Sequence, residues 1–366
     1  MSRPAGHAGL DEDDVRVRPG RGSRPRTRRR PAHAEAVEAF VAAVDRGRYR
    51  CWIGDREVTA MKARELGRGN IVTGDTVSLA GDTSGQPDTL ARVVRVAPRT
   101  SVLRRSADDT DPVERVIVAN ADQLVIVCAL ADPPPRPRLI DRFLVAAYDA
   151  GLTPLLWLTK SDLADPGEIL AAYQPLGLRY QVAGRPLDDE TLSRLHDELA
   201  GRVSVLVGHS GVGKSTLFNA LIPEASRATG SVNVVTGRGR HTSSSALALR
   251  LPDGGWVIDT PGLRSFGLAH ISPVNVARAF PDLADAAAQC PPGCDHLQAG
   301  YDQQAAQGQP GSGRLQAGCG LDDWVTNHGG PANAARLDSL RRLLRSREGL
   351  DPAEATGAAE PGQDAP

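Results

Sequence analysis

Lysine is almost missing from this 366-residue chain: of its 43 Lys and Arg residues, only Lys62, Lys160 and Lys214 are lysine. A chain that writes nearly every surface cation as arginine keeps the compact ammonium at three places, and two of these fall in the nucleotide-type motifs described below. Aromatic side chains make up only 4%. No apolar run approaches the eighteen or so residues of a membrane helix, and no signal-peptide core opens the chain. A cytoplasmic protein without a membrane partner is expected. The five cysteines are an odd number, and three of them, Cys290, Cys294 and Cys319, gather near His296. That favours a metal in a reducing compartment over a disulfide framework. The length and 40% hydrophobic content suffice for two or three domains.

What the chain does hold is concentrated at 203–219. Val203 to Val207 suit a buried strand, and the segment Gly208-His209-Ser210-Gly211-Val212-Gly213-Lys214-Ser215-Thr216 follows before an apolar helix start. This is the pattern of a phosphate loop in its strand-to-helix setting, the alternative being a chance glycine-rich turn. The glycines let backbone N–H groups close around a pyrophosphate, Lys214 reaches the terminal phosphates and the Ser215 hydroxyl can sit on Mg²⁺. Upstream, the buried strand Pro154 to Leu158 delivers Thr159-Lys160-Ser161-Asp162. That tetrapeptide resembles the guanine-reading Asn-Lys-x-Asp motif, with Thr in place of Asn. A carboxylate at 162 can accept both the ring N–H and the exocyclic amine of guanine, which selects GTP over ATP, and the carboxyl end of a strand is where open sheets bind ligands.

Downstream, the polar stretch 225–245 holds Gly237-Arg238-Gly239-Arg240-His241-Thr242-Ser243. It suits a switch loop closing over Mg²⁺, with Thr242 or Ser243 as hydroxyl ligand. Gly255 to Ile258 then delivers Asp259-Thr260-Pro261-Gly262, where Asp259 fits a Mg²⁺ partner and the Gly262 N–H a γ-phosphate contact. In ordinary GTPases the guanine-reading motif follows the phosphate loop and the Asp-x-x-Gly segment, whereas here it comes first, at 159 against 208 and 259. The expected domain, 106–270, is therefore a circularly permuted α/β GTPase with a parallel, doubly wound sheet. Leu263 stands where a water-orienting Gln is common, so hydrolysis unaided should be slow. His241 is the nearest substitute, its other reading being a phosphate contact or a merely exposed loop residue.

The flanks carry other chemistry. Residues 1–35 lack apolar periodicity and include eight arginines between Arg16 and Arg30, a disordered tail able to follow a phosphate backbone or simply to be solvated. Five short alternating runs between 36 and 105 read as a small Greek-key barrel of the OB type, although an SH3-like barrel has nearly the same pattern. With only Tyr49 and Trp52 as stacking positions, RNA contact there should lean on arginine. Residues 271–348 form a helical subdomain in which Cys290, Cys294, His296 and Cys319 make a closed Zn²⁺ site. Its last helix carries Arg336, Arg341, Arg342, Arg345 and Arg347, a face for solvent or for RNA. Residues 349–366 read as a disordered acidic tail.

Together these motifs make residues 36–347 resemble the family of ribosome small subunit-dependent GTPases known as RsgA, YjeQ or YloQ. Departures are Thr159, Ser243 in place of a second Thr, the lack of a Ser-Ala element near Val182-Ala183, and a long insertion before Cys319. The resemblance implies a monomeric GTPase acting in late maturation of the small ribosomal subunit, binding its rRNA and activated by it, with Mg²⁺ accompanying GTP and one structural Zn²⁺. A different class is also open: an RNA-binding assembly scaffold whose nucleotide site hardly turns over. An ATPase is a weaker third reading, which Asp162 opposes.

Overall fold

Every residue of Gln123-Leu-Val-Ile-Val-Cys-Ala129 is buried, and this strand, β8, divides the molecule. Because side chains alternate along a strand, Leu124, Ile126 and Cys128 enter one core while Val125, Val127 and Ala129 enter another on the opposite face. A strand apolar on both faces needs helices on both sides. The computed structural model that shows this describes residues 33–67, 70–105, 115–222, 246–260, 273–278, 280–291, 294–297 and 319–348. Residues 1–34 and 35–366 are separate units, and the elements below belong to the second.

Around β8, the strands β9 (Thr153–Thr159), β10 (Arg179–Ala183), β11 (Val203–Val207) and β13 (Trp256–Asp259) run parallel in the order β10-β9-β8-β11-β13. Helix α1 (Pro137–Asp149) covers one face. Helices α3 (Asp189–Leu199) and α4 (Lys214–Leu221) cover the other, and α2 (Gly167–Tyr173) joins β9 to β10. α3 starts where the sequence says it should, with the Asp188 carboxylate accepting the Thr191 N–H at 2.6 Å as an N-cap. The doubly wound parallel sheet is thus as expected, with most strands within a residue or two of their sequence-read limits.

The first five strands, β1 (Val37–Asp45), β2 (Arg48–Ile53), β3 (Arg56–Lys62), β4 (Thr76–Gly81) and β5 (Ala91–Val96), enclose a core of their own. They follow the order β1-β2-β3-β5-β4, and β4 returns to pair with β1, which closes a barrel. The barrel is fused to the other half. Strand β12 (Leu247–Arg250) pairs antiparallel with β13 on one side and with β1 on the other, through Ala43 and Leu247, so one eleven-stranded sheet runs through both halves. At the junction Phe40 stacks on Trp256 at 4.3 Å and Thr73 Oγ1 donates to the Ala246 carbonyl at 2.8 Å. Trp52 packs edge-on against Trp256 and is half-buried, while Tyr49 is in the barrel core, so of the two expected stacking aromatics Tyr49 is closed to a ligand.

Three short strands have no counterpart in the sequence reading: β12, β6 (Val102–Arg105) and β7 (Arg115–Ala119). The last two pair with one another across the expected 105/106 domain boundary. Helices α5 (Pro273–Arg278), α6 (Pro281–Ala287), α7 (Gly320–His328) and α8 (Pro331–Glu348) complete the chain. They share a core with α1, since Val276, Phe280, Leu283, Leu337, Leu340 and Leu344 lie in the same cluster as Phe143 and Leu144. The wholly buried Phe280 alone contributes on the order of 2–3 kcal/mol by area.

The arginines of α8 correct the sequence reading of an RNA-facing or solvated surface. Arg336 grips both carboxylate oxygens of Asp282 and donates to the Pro175 carbonyl at 2.8 Å. Arg341 donates to the His296 carbonyl and to Asp322, and Arg345 to the Leu297 carbonyl. Arg342 donates to the buried Asp141 at 3.0 Å while lying 5.0 Å over the Tyr173 ring. These four cations are spent inside the protein, tying α8 to α1, α2 and the Cys/His loop. The Arg347 side chain lies outside the described part.

Candidate functional site

Three chain segments meet at the carboxyl ends of the parallel strands: 159–162 from the last residue of β9 onward, 208–216 after β11, and Asp259 at the end of β13. Gly208 is required by close approach, because a Cβ there would sit 2.3 Å from the Val127 carbonyl oxygen. Gly213, at φ +99°, turns the chain into α4 in the left-handed region that L side chains avoid. The loop then runs into a helix whose leading N–H groups have no partner within it, an arrangement suited to an anion.

Lys214 folds back on the loop, its Nζ donating to the Gly208 and His209 carbonyls at 2.7 Å each. Burial holds its pKa below the usual lysine range and the Asp259 carboxylate opposes this. Burial pushes the Asp259 carboxyl up, with Lys214 pulling the other way. An ammonium and a carboxylate therefore share one partly desolvated spot where a polyphosphate and its cation would carry the remaining charge.

The guanine-reading candidates lie against this loop. Thr159 Oγ1 donates to the Val212 carbonyl at 2.7 Å, so the threonine hydroxyl braces the phosphate loop from β9. Lys160, buried and at φ +61°, donates to the Asp132 carbonyl. Asp162 is exposed, and its Oδ1 accepts the Arg185 N–H at 2.9 Å. His209 Nδ1 stands 2.9 Å from the Ser210 carbonyl. Gly211, Ser215 and Thr216 take their places in the loop and the first turn of α4. The structure thus brings together the upstream and downstream motifs, while His241, Thr242, Ser243, Gly262 and Leu263 lie outside the described residues. Asp132 and Arg185 were not found by sequence reasoning. Asp132 contributes only a backbone carbonyl, which no residue type announces.

Some distance along the fold, Cys290, Cys294, His296 and Cys319 place one ligand atom each within 4.8 Å of one another. The Cys290 and Cys319 sulfurs are 3.8 Å apart and Cys319 Sγ is 3.9 Å from His296 Nδ1. A tetrahedral zinc with Zn–S bonds of about 2.3 Å has S···S edges of about 3.8 Å, so this donor set fits that ion. Burial pushes the Cys319 thiol up, but hydrogen bonding to His296, the Leu321 amide and the other two thiols outweighs it and brings it down to about 7. Burial chiefly, with Cys319 adding, raises Cys294 to about 12. Outside the ligands, Gly320 N–H donates to Cys290 Sγ at 3.2 Å and Arg341 holds the His296 carbonyl, the sort of outer contacts that orient metal ligands.

Comparison with known proteins agrees with this arrangement. The family described as RsgA GTPase matches residues 96–269. The "Small ribosomal subunit biogenesis GTPase RsgA" of Chromohalobacter salexigens is 37% identical over 282 residues, covering 75% of this chain and 74% of the relative. Among solved structures, "YloQ, a circularly permuted GTPase" aligns with a TM-score of 0.59 and 21% identity over 88% of this chain and 99% of its own. YjeQ from Thermotoga maritima aligns with a TM-score of 0.56 and 22% identity over 84% and 99%. The fold of the strand-and-helix half is therefore that of a circularly permuted GTPase.

Proposed function

Because the chain belongs to the RsgA GTPase family, we propose that it hydrolyses GTP to GDP and phosphate, binding the small ribosomal subunit late in its maturation and being activated by it. The observation that carries this is the bond from Thr159 Oγ1 to the Val212 carbonyl, which joins the base-reading segment to the phosphate loop and supports one site for a guanine nucleotide. In this reading Asp162 accepts the guanine N–H groups, Lys160 packs along the base, and residues 208–216 enclose the phosphates with Lys214 on the terminal ones. Ser215, Thr242 and Asp259 would hold Mg²⁺, which supplies charge neutralisation at the β- and γ-phosphates. The Gly262 N–H would contact the γ-phosphate, and His241 would stand in for the absent Gln in aligning water. The barrel, whose strand order β1-β2-β3-β5-β4-β1 supports an OB fold, contacts rRNA by arginine, the Arg-rich segment 16–30 extends that contact, and the Cys/His cluster holds one structural Zn²⁺. The enzyme works as a monomer in the cytoplasm. Among the described residues no helix is long and apolar enough to cross a membrane.

Turnover of GTP with purified small subunits, with large subunits and with neither tests the proposal. Strong stimulation by small subunits alone is expected. Small-subunit binding without stimulation would instead leave an assembly scaffold with a nearly silent nucleotide site.

A further inference from the structure

The segment that ends β10 and leads out of it, Val182-Ala183-Gly184-Arg185, offers no serine hydroxyl to orient the Asp162 carboxylate, yet that carboxylate is held. The donor is the Arg185 backbone N–H, 2.9 Å from Asp162 Oδ1. The guanidinium of the same residue turns to the other wall of the crevice, where Nη2 lies 3.4 Å from Thr216 Oγ1 in the first turn of α4. One residue therefore touches the base-reading carboxylate with its backbone and the phosphate-facing helix turn with its side chain. Both Arg185 and Thr216 are exposed, so a ligand can reach them.

The order of groups along a nucleotide decides what that guanidinium meets. With the base on Asp162 and the terminal phosphates on Lys214, the α-phosphate falls between them, beside the leading turn of α4. A planar fork can hold a phosphate oxygen with one N–H while another still reaches the Thr216 hydroxyl, which a lysine ammonium on a flexible stem does less well. We propose that Arg185 is a nucleotide-positioning residue whose amide fixes Asp162 for the purine and whose guanidinium takes the α-phosphate. This rests on the reading of 208–216 and 159–162 as a guanine-nucleotide site.

The test is calorimetric titration of GDP, GTP, ADP and inosine diphosphate, which lacks the exocyclic amine, into the full chain and its variants. Arg185→Ala should weaken GDP and GTP alike by about tenfold at low salt, the loss of one charge-assisted hydrogen bond, and the gap should narrow as salt screens it. Arg185→Lys should recover part of the loss. The preference for GDP over inosine diphosphate should stay as it is, because the amide remains. Arg185→Tyr keeps a flat surface but no charge and should bind as poorly as the alanine variant. Full recovery by tyrosine, a changed preference for inosine diphosphate, or alanine binding within twofold of the parent would each overturn the assignment. If the parent protein binds ADP as tightly as GDP, the underlying guanine reading fails instead, before any variant is made. Since the side chain is exposed, unliganded unfolding temperatures should match, which separates lost binding from lost folding.

Discussion

Replacing Thr159 by valine keeps the shape of the side chain and removes one proton donor. The hydroxyl has two carbonyls in reach, Val212 at 2.7 Å and Cys128 at 3.5 Å, but a single hydrogen, so the short contact is the bond that would be lost. A neutral hydrogen bond contributes about 1 kcal/mol net, and leaving its part-buried acceptor without that partner raises the cost to about 1–2 kcal/mol. The bond spans from the end of β9 to the middle of the phosphate loop, so its loss loosens the loop in the free protein, and binding must order it again. GDP and GTP affinity should fall by about five- to thirtyfold. Discrimination against ADP should persist, because Asp162 and its amide donor Arg185 are untouched. Thr159→Ser retains the hydroxyl and should bind near the parent level. Titration with a fluorescent GDP analogue at fixed Mg²⁺, competed with GDP and ADP, measures all of these. Unchanged affinity in Thr159→Val would refute the bracing role, and a collapse of GDP over ADP would show that Thr159 reads the base directly.

Lys214→Ala should abolish nucleotide binding, since its ammonium is the charge folded onto the loop, while metal analysis should still find zinc at the parent level. Arg342→Leu should destabilise the protein by about 2–3 kcal/mol because it takes the cationic partner from the buried Asp141 carboxylate, which keeps the Tyr173 hydroxyl as a donor; Asp141→Leu with Arg342→Leu should recover most of it in thermal unfolding, and equal losses in single and double variants would refute the pairing. Cys319→Ser should release zinc and loosen the packing of α7 beneath it, visible as a change in Trp324 fluorescence, without altering GDP affinity. Acid should weaken the α6–α8 contact. Hydrogen bonding from Arg336 holds the Asp282 carboxyl below its ordinary value, so that contribution is complete above the unfolded carboxylate range and lost as pH drops through the lower folded value. Asp282→Asn should flatten that acid limb.

The strands around β8 were legible because burial on two faces leaves no choice of residue: continuous Leu, Val and Ile runs bounded by Gly and Asp mark themselves. The phosphate loop was equally plain, since its glycines answer to backbone geometry. What the sequence concealed had partners of no fixed identity. Arg336, Arg342 and Arg345 donate to backbone carbonyls of Pro175, Ala172 and Leu297, and a carbonyl is the same on every residue, so a helix face bound for the interior read like one bound for water. Strand β12 is only four residues long and is held by pairing with β13 along its length and with β1 through Leu247, and no local pattern announces that β1 lies near. The bracing of the loop by Thr159 was half visible: the motif was readable, but the direction of its hydroxyl was not.

The shared sheet also sets an order of events during synthesis. Strands β1 to β5 close among themselves and leave the ribosome first, while the partner of Thr73 follows 173 residues later. At 5–20 residues per second that interval is roughly 9–35 s, during which the end of β1 offers unpaired backbone groups. The closed barrel should then offer β12 its edge on one side, while β13 with Asp259 pairs with β12 on the other and with the earlier strand β11. A fragment beginning after the barrel would expose β12 as a bare edge and should tend to associate with copies of itself.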